Sequence, residues 1–141
     1  MMKKGFSLLE IIFVIAIIGI IITVALPKLD ENLAKANKIK IKNDITMIRE
    51  GIIQYRDKMI LQNNSSTIDT LDEDNEQLFS KILTYPIVAS KKQNINAWSK
   101  ISDTSYKVYV DGQNSVEFLY DKVEYTFDCD QNDEFCKELS Q

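Results

Sequence analysis

One stretch constrains this chain more than any other. From Phe6 to Leu26, 21 residues carry a single charge, Glu10, and are otherwise apolar but for Ser7, Gly19 and Thr23. A helix of that length spans roughly 31 Å at about 1.5 Å per residue, close to the hydrocarbon thickness of a bilayer. Lys3 and Lys4 precede the run, and with no comparable basic excess directly beyond its other end they place the N-terminus in the cytoplasm by charge bias. The domain after Pro27 is then expected outside the inner membrane. Two plainer segments share this hydropathy. A cleaved secretory signal has an apolar core of about 7 to 15 residues and a small-residue cut site, whereas this run is longer and ends in Val24-Ala25-Leu26-Pro27. A single-pass anchor fits the length but leaves Glu10 unexplained.

A carboxylate near the end of a lipid-compatible helix costs a few kcal/mol, about 2.5 to 3.5 on insertion scales at the helix centre, and marks a functional or pairing position. Glu10 either reaches back to the headgroups or meets a cation at the membrane edge. Cleavage between Gly5 and Phe6 would create such a cation, a free or methylated amine at Phe6, most simply paired with Glu10 of another copy.

Composition removes several function classes. There is no histidine, so a serine-histidine-carboxylate triad cannot be built, and two cysteines cannot form a four-thiolate zinc site. Beyond Pro27 lie 114 residues with 15 basic and 20 acidic side chains, a net charge of -5 that does not favour nucleic acid. Nothing in the spacing of the carboxylates, lysines or tyrosines indicates catalysis, and the chain is expected not to be an enzyme.

The order of leader lysine, Gly5, Phe6, Glu10 and the apolar residues through Leu26 and Pro27 resembles the class III signal of type IV pilins and of the related pseudopilins of type II secretion and DNA-uptake machines. The resemblance implies a leader at residues 1–5, a transmembrane and assembly helix at 6–27 and an extracytoplasmic pilin-like head at 28–141. It implies cleavage after Gly5 by a prepilin peptidase, N-methylation of Phe6, and a role for Glu10 in registering each subunit against its neighbour. The implied partners are other pilin or pseudopilin subunits, the peptidase, an inner-membrane assembly platform and the lipid bilayer, with DNA or a secreted protein as candidate substrate. Major or minor type IV pilin, tip adhesin and DNA-binding subunit stand as alternatives, the last through Lys91, Lys92 and Lys100.

Past Pro27 a helical period resumes through Leu29, Leu33, Ala36, Ile41, Ile45, Ile48, Ile52, Tyr55 and Met59. It predicts one helix from about Ser7 to Ile60, bent or loosened near Pro27, in which Gly51 reflects either close packing or ordinary tolerance. The loop at 63–66 leads to Thr70 and Glu73, a capping-box spacing, and Leu71, Leu78, Phe79, Ile82 and Leu83 predict a short second helix ending near Tyr85-Pro86. Asp72, Glu73 and Asp74 would favour its amino end. Trp98 is expected to fill a satellite core. Alternation in Tyr106-Val108-Val110, Val116-Phe118-Tyr120 and Val123-Tyr125-Phe127, with turns at Asp111-Gly112 and Asp121-Lys122, predicts a three-stranded antiparallel meander. The expected fold is α+β, a long N-terminal helix packed against a small antiparallel sheet.

Cys129 and Cys136 are expected to form a disulfide stapling the tail, as in the C-terminal loop of pilins. Asp128, Asp130, Asn132 and Glu134 set oxygen atoms at every second residue, a spacing that suits either a solvated acidic loop or a structural calcium ion. Asp133 stands where an EF-hand has its glycine.

Overall fold

The computed structural model describes residues 7–63, 67–74, 76–90 and 94–140, and at 27, 30 and 31 the backbone alone. Helix α1 runs Leu8–Leu61 and is helical at every residue, Pro27 included. The chain divides into two compact units, Met1–Ala36 and Asn37–Gln141. The first contains the apolar part of α1. Its residues Leu8 to Leu26 are all exposed, because hydrophobic side chains surround the helix and no single face can be turned inward.

The second unit contains the remainder of α1 and the sheets. Ile41, Ile45, Ile48 and Ile52 are wholly buried along one stripe, with Tyr55 half-buried beside them. Against this stripe lies a four-stranded antiparallel meander in the order β3 (Trp98–Lys100), β4 (Ser105–Tyr109), β5 (Ser115–Asp121) and β6 (Thr126–Cys129). Its register follows from alternation. Trp98 pairs with Val108 and Val108 with Val116, while Tyr106 pairs with Phe118 and Phe118 with Cys129, so one face carries the buried side chains. Phe79, Trp98, Tyr106, Phe118 and Phe127 cluster there, Phe118 stacking on Phe127 at 5.2 Å. Such pairs add about 0.5 to 1.5 kcal/mol each beyond area burial.

The meander has one more strand than the sequence pattern indicates, and its last strand starts later. Trp98 belongs to β3 and sits in the main core, where its indole Nε1–H donates to Asp44 on α1 at 3.1 Å. At the other end, the Asp121 carboxylate accepts the backbone N–H of Val123 at 2.7 Å and of Glu124 at 3.1 Å. That turn carries Val123 out to 73% exposure and sets Tyr125 at φ 57°, so the strand begins only at Thr126. The Asp111 turn works the same way, its carboxylate accepting from the Asn114 side-chain amide at 2.9 Å and from the backbone N–H groups of Asn114 and Gln113. These bonds hold the Asp111 and Asp121 carboxyls below the ordinary aspartate range.

The expected second helix over residues 70–85 is not formed. The segment holds a two-residue strand β1 (Gln77–Leu78), paired with β2 (Ile87–Val88), and turns. Asp72 is the reason. Its carboxylate is buried and accepts the Phe79 backbone N–H through one oxygen and the Tyr106 hydroxyl at 2.7 Å through the other, which Lys100 Nζ also approaches at 3.3 Å. The Glu73 N–H, which a capping box would direct to Thr70, goes to Ser80 Oγ at 2.8 Å. Phe79 consequently lies in the left-handed region at φ 62° and is fully buried. The acidic run is therefore not a helix amino end, although Leu71, Leu78 and Phe79 do reach the core as their hydrophobicity requires. Burial drives the Tyr106 phenol far above its ordinary pKa, and its bond to Asp72 adds to that.

This loop approaches α1 at Gly51, where an added Cβ would stand 2.8 Å from the Ile82 carbonyl oxygen. Gly51→Ala is expected to destabilise the protein by about 1 kcal/mol, since forcing the backbone aside costs about 1 to 3 kcal/mol and the helix-propensity gain is only about 1. Gly112→Ala, where a Cβ meets open space, serves as control in urea unfolding of the detergent-solubilised chain.

A second expectation concerns Asp44. Burial raises its carboxyl above the ordinary range against the lowering pull of Trp98 and Lys40. The folded state then binds the proton more tightly, so this group's stabilisation is present below the ordinary aspartate value of 3.8 and is lost as pH rises through the elevated folded value. The melting temperature of Asp44→Asn minus that of wild type should therefore become more positive across that window. A difference that stays constant with pH would show that Asp44 is not held in this way.

Candidate assembly site

The apolar span of α1 starts at Leu8, with the backbone N–H groups of Glu10 and Ile11 bonded to the Ser7 carbonyl at 3.0 and 3.3 Å. Glu10 lies in the first turn and is exposed. The unsatisfied N–H groups at a helix amino end carry partial positive charge, which makes the first turn the least costly position for a carboxylate in such a helix. Leu8–Leu26 has mean hydropathy 3.0 and no residue of it is buried. Thr23, its other polar side chain, donates to the Ile20 carbonyl at 2.8 Å, so its hydroxyl needs no water. An added Cβ on Gly19 would touch nothing within 4 Å, leaving a notch open to whatever covers the helix. A cylinder of exposed apolar side chains this long is stable only in lipid or among other apolar helices. Gly5 and Phe6, the expected cleavage and methylation positions, lie outside the described residues.

The two cysteines meet. Cys129 and Cys136 form a disulfide with their Cα atoms 5.8 Å apart. It joins the end of β6 to a short helix absent from the sequence expectation, α2 (Glu134–Ser140). Asp133 caps that helix by accepting the Phe135 N–H at 2.8 Å, a signal readable in the Asp-Glu pair that opens it. Leu139 enters the core, and Glu138 holds Lys38 of α1 through both carboxylate oxygens at 2.7 and 2.8 Å.

The proposed calcium donors are not gathered. Asp128 faces the Arg49 guanidinium at 2.7 Å, and the same arginine donates to the Phe127 carbonyl, tying α1 to β6. Asp130 accepts the backbone and side-chain N–H of Asn132, both at 2.9 Å, and Glu134 sits in the first turn of α2. Among the described residues no three His, Cys, Asp or Glu side chains converge as metal ligands. Of the four residues expected to hold calcium, Asp128 is engaged by Arg49, while Asp130 and Asn132 bond to each other.

The lysine patch considered for DNA is also divided. Lys91 and Lys92 fall outside the described residues, while Lys100 is largely buried between Asp72 and Asp103, at 3.3 and 3.0 Å. Burial would lower the Lys100 pKa, but the two carboxylates together outweigh it and leave the ammonium above its ordinary value. A cation held this way is not available to a phosphate. The charge bias across the apolar span needs correcting as well. Lys28, Lys35, Lys38, Lys40 and Lys42 follow it, against Asp30 and Glu31, so Lys3 and Lys4 do not outnumber the lysines on the far side.

Residues 1–26 match the family described as the prokaryotic N-terminal methylation motif. The type II secretion system core protein G of Pectobacterium carotovorum subsp. carotovorum is 30% identical over 95 residues, 67% of this chain and 54% of that protein. The protein of the same description from Escherichia coli (strain K12) is 39% identical over 54 residues, 38% of this chain and 37% of its own length. The chain thus spans about half or less of the length of these relatives. No solved structure matches it significantly.

Proposed function

Starting from a pilin-like chain with a class III prepilin signal, we propose that it is a noncatalytic building block of a type II secretion pseudopilus. One observation carries this function: the methylation motif at residues 1–26 includes the fully exposed apolar span Leu8–Leu26, whose only charge, Glu10, stands in the first turn of α1. In the proposed sequence of events a prepilin peptidase removes residues 1–5, leaving 136 of the 141 residues, and methylates the new amine of Phe6. The helix of residues 6–27 holds the subunit in the inner membrane until an assembly platform extracts it into a bundle of identical helices. There the carboxylate of Glu10 meets the Phe6 amine of a neighbour, and each neutralises a charge that neither lipid nor apolar side chains would solvate.

The head of residues 28–141 lies outside the cytoplasm in this scheme. Support comes from the buried disulfide, since such bonds persist in oxidising compartments, rather than from the lysine distribution. Absence of histidine from the whole chain and the commitment of the buried Asp72 to structural donors support a structural rather than a chemical role.

Mass spectrometry of the intact membrane-derived protein and its terminal peptide, in cells with and without the peptidase, tests the processing. A chain beginning at methylated Phe6 only when the peptidase is present is the expected result; a peptidase-independent chain retaining Met1 to Gly5 would overturn the assignment. Glu10→Ala should reduce incorporation into filaments by about tenfold or more, the equivalent of about 1.4 kcal/mol, while the melting temperature of the head stays at the wild-type value. Full incorporation of that variant would remove Glu10 from the mechanism.

A further inference from the structure

A groove runs along one flank of α1, where cavities of about 250 and 340 Å3 meet between the helix and residues 81–85. They share Gly51, the position at which the Ile82 backbone comes closest to the helix. One end is apolar: Tyr85 is 88% exposed, and Met47 is exposed beside it, with Glu50 next to them. At the other end stand Lys58 and Lys81, and among the described residues neither ammonium has a partner. An exposed apolar slot that ends in two unpaired cations fits a projecting apolar side chain with a carboxylate beside it.

The same head projects such a group on its opposite flank. The turn after β5 holds Val123 out to solvent between the carboxylates of Asp121 and Glu124, while Lys122 is taken up by Asp69 at 3.3 Å. The turn is ordered in advance by the Asp121 bonds to its backbone and by the Arg56 guanidinium 5.9 Å over the Tyr125 ring, so docking it immobilises little more. Arg49 and Arg56, which meet Asp128 and Tyr125, lie about 180° round α1 from Gly51, Gln54 and Lys58 at about 3.6 residues per turn. Asn64, Ser65 and Ser66, which follow α1, carry no charge. We propose that the Val123 turn of one copy docks in the groove between α1 and residues 81–85 of a second copy, with Glu124 against Lys58 and Lys81.

This contact presupposes the filament proposed above and gives its heads a direction. The two surfaces differ and stand on opposite flanks of the same stretch of helix, so each copy meets one neighbour through its turn and another through its groove. A heterologous contact of this kind propagates along a row of copies, where a self-complementary one would stop at a pair. The charges steer the encounter and fix its register, and their contribution weakens with salt. Burial of Val123 supplies the short-range part.

The test uses the full-length chain in intact cells. One population carries Glu124→Cys and another Lys81→Cys; both native cysteines are in the disulfide, so a short bismaleimide reads only the introduced thiols of this protein. Expressed together, the two should give a mixed dimer that neither gives alone. Val123→Asp and Glu124→Lys should each lower incorporation into filaments about tenfold, with melting temperature and processing at Phe6 unchanged. Combining Glu124→Lys with Lys58→Glu and Lys81→Glu in one chain should restore it. Absence of the mixed dimer, equal dimers from either population alone, or Val123→Asp and Glu124→Lys chains that incorporate like wild type would overturn the docking while leaving the pseudopilus function standing. A wild-type chain that enters no filament would overturn both.

Discussion

The buried carboxylate of Asp72 organises the head. Asp72 accepts from the Phe79 backbone, the Tyr106 hydroxyl and the Lys100 ammonium, and so joins the irregular segment after α1 to both β3 and β4. A buried aspartate with one donor would be a liability, because desolvating its charge costs several kcal/mol. Three donors, one of them a cation, offset that cost and fix the geometry of everything they touch. Phe79 can then sit in a left-handed backbone conformation at the centre of the aromatic cluster, packed 4.6 Å from Tyr106 and 5.7 Å from Trp98. The segment also comes close enough to α1 that only glycine fits at position 51.

Helix α1 performs two tasks because its hydrophobicity is distributed in two ways. From Leu8 to Leu26 the apolar side chains go all the way round, and the helix needs an apolar surrounding on every side. From Ile41 to Ile52 they form one stripe, and the head covers it. The partners that hold the second half are mostly local charge pairs made at a distance in sequence: Arg49 with Asp128, Lys38 with Glu138, Asp44 with Trp98. Each connects the helix to a different element, so the stripe supplies the energy of association and the polar contacts specify its register.

Much of this was legible in the residues. The 3.6-residue period of Ile41, Ile45, Ile48 and Ile52 and the two-residue period of Tyr106-Val108 and Val116-Phe118-Tyr120 each identify a face, and those faces are buried as expected. Helix α1 extends over nearly the span predicted, and Cys129 does bond to Cys136. The places where local pattern misled share a cause. At residues 70–83 a good capping box lost to Asp72, whose donors come from Phe79, Lys100 and Tyr106, seven to 34 residues away. At 123–125 strand-like residues lost to an aspartate turn, and at 128–134 the alternating oxygen atoms went separately to Arg49, to Asn132 and to the first turn of α2.

What the sequence determined by itself was therefore set by periodicity and by a contiguous motif: an apolar helix with one carboxylate in its first turn, an amphipathic continuation, alternating strands and a cysteine pair. These depend on neighbours within a few residues, and burial of a face follows from the period alone. The tertiary structure decided where each polar side chain is spent. Asp72, Lys100 and Asp128 look alike in sequence to any surface charge, yet Asp72 is buried at the junction of several elements, Lys100 is part-buried between two carboxylates and Asp128 is taken by an arginine on α1. Their roles depend on which donors and charges the fold brings within about 3 Å, and a linear pattern does not carry that distance.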